Sequence, residues 1–211
     1  MIHLFGIPLK LYLNFAILCI PRHSTAFRVS RARADHYSTY PRLGNDHYYH
    51  LPITKETVGG IGRELFDNDS LLKTKTDSLE KLIAFVRNGF EYRTDLETCG
   101  IEHFSLSAEE VLAGRGADCE DKVALLWQLQ KELIGLPMVV LEFETHVSLA
   151  IAAPYNEFYA DPIEYKGEKF YVADPSIEKD SPESNLPMIG SWPFGLFGLP
   201  FDFGPSWAPG D

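Results

Sequence analysis

Three residues of this chain have types and settings suited to nucleophilic catalysis: Cys119, His146 and Asp174. Cys119 lies in "GRGADCEDKVALLWQL", where a Gly-containing loop runs into a segment of helical periodicity. A thiolate is the nucleophilic form of cysteine, and a helix start favours it through unpaired N–H groups and the helix dipole. His146 opens the strand-like "HVSLAI"; an imidazole there can take the thiol proton and later return it to a leaving group. Asp174 closes "EKFYVAD", and an acid in that role fixes the imidazole tautomer and stabilises its charged form. The backbone N–H of Cys119 is one ready oxyanion donor, and Tyr92 in "FEYRTD" is the candidate for a second. Taken singly, each residue also has an ordinary structural reading: a cysteine at a helix start, a hydrogen-bonded strand histidine, an "ADP" turn. The combination in three suitable settings favours the catalytic one.

The acids around Cys119 raise a separate question. Asp118 suits the N-cap of the helix. Glu120 and Asp121 suit the positive helix end, but their charges oppose a thiolate. Arg115 and Lys122 are the nearby cations that could offset this, so a depressed thiol pKa is still expected. A second reading makes Asp118, Glu120 and Asp121 ligands of a calcium ion, because clustered carboxylates are hard oxygen donors. No cofactor is required by the thiol chemistry itself. His47 and His50 in "DHYYH" have metal-like spacing only on a helix, and their Tyr-rich setting reads as a loop.

The surrounding sequence predicts the elements that would position these groups. Residues 56–67 read as a short helix weakened by glycines. Asp77 and Glu80 form a capping-box pattern ahead of Leu79, Leu82, Ile83, Val86 and Phe90 at helical spacing. Ser107 and Glu110 form another, ahead of a short helix that stops at Gly114. The helix starting at Cys119 runs to about Ile134 and is stopped by Gly135 and Pro137. After Pro137 the pattern becomes strand-like: Met138 to Phe143, His146 to Ile151 and Glu168 to Asp174, with a hairpin approach through Gly167. Helices followed by antiparallel strands predict an α+β fold with the Cys119 helix packed on the sheet.

Composition sets outer bounds. With 211 residues the chain is long enough for one domain with a full core and an arm. A net charge of −11 argues against nucleic acid as a partner, since no Lys/Arg stripe exists to neutralise phosphates. Three cysteines without a CxxC pair suggest neither a disulfide framework nor a structural zinc site. The apolar run Leu11 to Ile20 is too short for a stable membrane span. It suits a signal-peptide core over residues 1–26, which would make the protein periplasmic or exported; as a buried strand it carries no such message, and the cytoplasm is the default. Residues 1–50 are therefore expected to be a leader and irregular arm, with an irregular stretch over 27–52. Residues 51–180 are the expected catalytic domain, and 181–211 a Pro/Gly/aromatic-rich C-terminal extension.

The segment "GADCEDKVALLWQLQKELIGLPMVVLEFETHVSLAI", followed by "YKGEKFYVADPS" and preceded by "FVRNGFEYRTD", resembles the transglutaminase-like cysteine peptidase superfamily, in particular its bacterial members with a D-C-E-D start to the catalytic helix. The likeness runs from about Leu79 through Asp174. It implies a papain/transglutaminase-like core with Cys119 as nucleophile, His146 as base and Asp174 as orienting acid. It implies a protein or peptide substrate, and some proteases sharing the motif depend on calcium. The expected activity is thiol-dependent hydrolysis of peptide or related amide bonds through an acyl-enzyme. The alternatives are transglutaminase-type acyl transfer to an amine, and a non-catalytic binding or scaffold module that retains the fold.

Overall fold

A computed structural model of the chain describes residues 2–4, 7–9, 15–20, 23–41, 49–67, 74–114, 116–143, 146–153 and 162–176. His47, Arg115 and the C-terminal extension lie outside the described residues.

The chain opens with two antiparallel hairpins, β1 (Ile2–Leu4) with β2 (Ile7–Leu9) and β3 (Phe15–Ile20) with β4 (His23–Arg28). The later part of the expected apolar run, Phe15–Ile20, thus forms strand β3. Ser30 then caps a helix, α1 (Arg31–Tyr37), in the stretch expected to be irregular. Seven residues form a marginal helix by propensity alone, and packing supplies what propensity lacks. Ala34 and Tyr37 are buried, as is Phe27 just before the helix, whose ring meets Phe85 edge-on at 5.9 Å between centroids.

Helix α2 (Lys55–Gly62) is capped by Thr54 and runs on into a π turn, Arg63–Asp67, close to the expected 56–67. Helix α3 (Lys75–Gly89) begins one turn earlier than its sequence suggests. Its capping box pairs Thr74 with Asp77 rather than Asp77 with Glu80. Both pairs satisfy the pattern, and the first adds a largely solvent-facing turn. The buried residues Leu79, Leu82, Ile83, Phe85 and Val86 carry this helix into the core. Two short helices follow, α4 (Asp95–Cys99) and α5 (Ala108–Leu112), the latter with the expected Ser107/Glu110 box.

Helix α6 (Cys119–Leu133) is central, with residues Asp121 through Gln130 all buried. It packs on a four-stranded antiparallel sheet of order β5 (Met138–Glu142), β6 (Val147–Ile151), β8 (Glu168–Val172) and β7 (Ile163–Tyr165). Strand β6 is buried on both faces. Val147, Leu149 and Ile151 face the helical core, while Ala150 joins Val139, Leu141, Phe170 and Val172 on the other side. Lys166 and Gly167 both take positive φ in the β7–β8 turn, the conformation that a tight two-residue hairpin needs. The fold is α+β, as its sequence predicts, with the long helix laid on an antiparallel sheet.

One buried acid outside the sheet sets a pH dependence. Glu109 on α5 is fully buried where α5 meets α1. Burial lifts its carboxyl to about 7 from an ordinary 4.5, with the N–H groups of Thr54 and Ser30 and the charge of Arg33 offsetting only part of the cost. Tyr37, the other titratable group facing it, has its phenol raised by burial above all. The unfolded chain releases the Glu109 proton near pH 4.5 and the folded chain holds it to about 7, so stability falls as pH rises across that window. Glu109→Gln is expected to match the native protein near pH 4 and to exceed it by about 1–3 kcal/mol at pH 8. Denaturant unfolding at the two pH values checks this, and an equal effect at both would contradict it.

Candidate active site

The three sequence-predicted residues sit at one end of the sheet. β6 and β8 pair with Ala150 opposite Val172 and Ile151 opposite Tyr171. Continued past the last strand residue, that register sets Asp174 opposite Ser148 and one diagonal step from His146, within reach of a long side chain. The hydrogen bond is made: His146 Nε2 lies 2.7 Å from Asp174 Oδ2. Phe143 stacks on the imidazole with ring centroids 6.4 Å apart, and its N–H donates to the His146 carbonyl at 2.8 Å.

Asp174 is held firmly. Its other oxygen, Oδ1, accepts from the Ser176 N–H at 2.8 Å and from the Ser176 hydroxyl. Burial alone would raise the carboxyl, but His146 and both Ser176 donors outweigh it and hold the group below its ordinary range. Asp174 therefore stays ionised beside the imidazole. With Nε2 engaged by Asp174, Nδ1 is the nitrogen that can exchange a proton with a thiol.

Cys119 is the first residue of α6, as expected, with Asp118 as N-cap. The loop before it is fixed by a parallel bridge between Tyr92 and Ala117, with the Arg93 N–H donating to the Ala117 carbonyl at 3.0 Å. Gly116 takes φ +81° there, and a Cβ would sit 2.8 Å from Thr98 Cγ2, so both backbone and space require glycine. The Val147 N–H, next to His146, lies near enough to the Cys119 sulfur to favour its thiolate. Helix start and strand start thus meet at the thiol.

The thiol's acidity differs from the sequence expectation. Burial above all, and then the charge of Glu120, push the Cys119 pKa up, and the Val147 N–H recovers only part. Cys119 Sγ donates to Glu120 Oε2 at 3.0 Å, an arrangement that holds the proton on sulfur. The helix-start argument identified the favourable contribution and missed how deeply the position is buried.

Tyr92, the candidate oxyanion donor, lies near Cys119. Burial first, and the nearby Cys119 second, raise its phenol, so the hydroxyl remains protonated and able to donate. The Lys122 ammonium sits 5.8 Å from the centre of its ring.

The acids divide differently from the expected trio. Glu120 groups with Asp118 and Cys119, whereas Asp121 groups with Asp118 and with Asp95, the ligand atoms of each group lying within 4.8 Å of one another. Asp95, on α4, carries no sequence signal for this role because it is distant in the chain. Asp121 Oδ1 accepts from the Leu106 N–H and Oδ2 from the Asp118 N–H at 3.4 Å. Asp95 Oδ2 accepts from the Phe104 N–H. Asp118 Oδ1 is buried with no hydrogen-bond partner among the described residues. Burial, followed by the charges of Asp121, Glu120 and Asp95, pushes Asp118 up to about 9. Burial likewise raises Asp121 and Asp95 despite their backbone donors. An orphaned carboxylate oxygen among three buried acids is chemistry that fits a hard divalent cation.

Sequence reasoning missed Ser176, Arg87 and Asp95. Ser176 was legible in principle, since Asp-Pro-Ser is an Asx-turn pattern in which the acid caps a downstream N–H. Set against protein-family models, curated proteins and solved structures, the chain matches none.

Glu120 offers the sharpest local test. Removing its negative charge takes away both the acceptor of the thiol proton and a repulsion on the thiolate. Glu120→Gln is expected to move the pH midpoint of Cys119 alkylation by iodoacetamide downward by about one unit or more. The exposed Cys99 serves as internal reference. An unchanged or higher midpoint would contradict the role given to Glu120.

Proposed function

We propose that this chain is a thiol-dependent hydrolase of peptide or related amide bonds, of the transglutaminase-like cysteine peptidase kind, with a papain-like arrangement of Cys119, His146 and Asp174. The observation that carries the reading is the buried Asp174–His146 hydrogen bond at 2.7 Å, beside a strand start whose Val147 N–H favours the Cys119 thiolate. His146 takes the thiol proton at Nδ1, and sulfur attacks the amide carbonyl carbon. The Cys119 N–H and the Tyr92 hydroxyl receive the developing oxyanion. Collapse of the tetrahedral intermediate expels the amine, which leaves with the proton returned by the imidazolium. Water, deprotonated by His146, then attacks the thioester and releases the acid and the free thiol. Asp174 stabilises the charged imidazole throughout.

An amine in place of water in the last step would make the same site an acyltransferase. A screen of peptide cleavage with an amine acceptor present separates the two outcomes. On a verified substrate, Cys119→Ala is expected to abolish turnover and His146→Ala nearly so. Asp174→Asn is expected to lower kcat roughly a hundredfold or more while leaving residual activity. Full activity in Cys119→Ala would end the thiol-dependent reading, whereas a native protein that turns over nothing in the screen would favour a binding or scaffold role for the domain.

The hydrogen bond from Cys119 to Glu120 and the orphaned Asp118 oxygen favour a second element of this reading, a calcium ion held by Asp95, Asp118 and Asp121. Bound there, calcium supplies positive charge that lowers the carboxylate pKa values and the cost of a thiolate. Calcium is expected to raise the Tm of metal-free protein, by an amount equivalent to about 2.7 kcal/mol at a hundredfold excess over Kd. Asp95→Asn with Asp118→Asn should erase that shift. No heat of binding at millimolar calcium would leave the acids as acceptors of the Leu106, Phe104 and Asp118 N–H groups alone.

A further inference from the structure

Two cations are buried beneath the site, and the mechanism above uses neither. Lys122 and Arg87 are both nearly inaccessible to solvent. Lys122 lies one turn beyond Cys119 on α6, and its Nζ donates to the Arg87 backbone carbonyl at 3.2 Å. Arg87, near the end of α3, donates from Nη2 to the Asp174 backbone carbonyl at 2.6 Å. Its Nε has no hydrogen-bond partner among the described residues. The two side chains therefore join three elements in series: the nucleophile's helix, the last turn of α3, and the chain just past β8 that presents the triad acid. The Tyr92 ring packs over the Lys122 end of the series.

Burying an ammonium and a guanidinium costs several kcal/mol per ion, and apolar replacements of similar volume are often neutral or stabilising. Both positions fall at apolar-stripe spacing, Arg87 four residues after Ile83 and Lys122 four before Leu126. Packing alone would be served by methionine or leucine. What an apolar side chain cannot do is hold two carbonyls at fixed distance.

We propose that Lys122 and Arg87 are positioning residues, a buried relay that fixes the backbone of Asp174 relative to the first turn of α6 and so sets the imidazole of His146 against the Cys119 thiol. The proposal rests on the Cys–His–Asp reading of the site. Misplacement of reacting groups by about 1 Å costs on the order of a hundredfold in rate, so the relay has leverage on reactivity without touching substrate.

The test compares native protein with Arg87→Met, Lys122→Met, Arg87→Lys and Lys122→Arg. Two readouts are used: the rate of iodoacetamide alkylation of Cys119 relative to Cys99 at neutral pH, and the downfield NMR resonance of the proton between His146 and Asp174. The methionine variants are expected to keep or raise the Tm, to slow Cys119 alkylation about tenfold or more, and to lose or broaden the downfield resonance, with Cys99 unaffected. The charge-keeping variants are expected to recover part of both signals, and they carry the comparison should a methionine variant fail to fold. Folded methionine variants with native alkylation and an unshifted downfield proton would overturn the relay. A native protein that forms no acyl-enzyme at Cys119 with an activated ester would overturn the hydrolase reading instead. The downfield proton would then still report whether Arg87 and Lys122 set the His146–Asp174 geometry.

Discussion

The first turn of α6 is buried against the start of β6, and most of what is unusual in this molecule follows from that contact. It brings a helix start, where N–H groups are unpaired, into a low-dielectric setting beneath a strand. Carboxylates are attracted to such a terminus, and this one has gathered Asp118, Glu120 and Asp121 from its own sequence and Asp95 from α4. Asp118, Asp121 and Asp95 are buried and Glu120 half-buried, so these acids disfavour one another's charge and that of the thiol among them. Each finds only partial relief: Asp121 in two backbone donors, Asp95 in one, and Asp118 with one oxygen left over. The opposing charge comes from below, where Lys122 and Arg87 are buried in turn. The site is a stack of buried charges of both signs whose separation is set by backbone hydrogen bonds.

Against this background the Asp174–His146 pair stands apart. Among the described residues, its acid is the one buried carboxyl near the thiol that the surroundings push downward, because Ser176 and His146 supply donors. On the hydrolase reading proposed above, a charged Asp174 beside a thiol held protonated by Glu120 would be a resting state with the base oriented and the nucleophile restrained. Whatever neutralises Glu120, a cation or a substrate group, would then release the thiol toward that base.

Much of this was legible in the sequence, and the reasons are local. Capping residues and terminating glycines marked both ends of α6, and Gly135 takes the left-handed conformation (φ +70°) that its position implies. The Ser107/Glu110 box and the β7–β8 hairpin are similarly short-range. His146 and Asp174 were legible because strand ends are marked by turn residues and an antiparallel register returns both to one end of the sheet. What escaped was set by tertiary contact. Helix α1 is too short to announce itself and is held by Phe27, Ala34 and Tyr37 in the core. Asp95 joins the acids across a distance of chain that no spacing encodes. The burial that raises the Cys119 pKa belongs to the packing of α6 on β6, and a reading confined to the helix start sees only the dipole. Arg87 and Lys122 carried a readable anomaly, a cation within an apolar stripe, without indicating the carbonyls they would meet.

The most direct measurement of the central claim is intact-mass analysis, with peptide mapping, of the protein quenched during reaction with p-nitrophenyl acetate. If Cys119 is a nucleophile served by His146 and Asp174, one acetyl group appears on Cys119 in a burst of nitrophenol release and is lost again as turnover proceeds. Acetylation confined to Cys99, or no burst and no thioester at Cys119, would contradict the account.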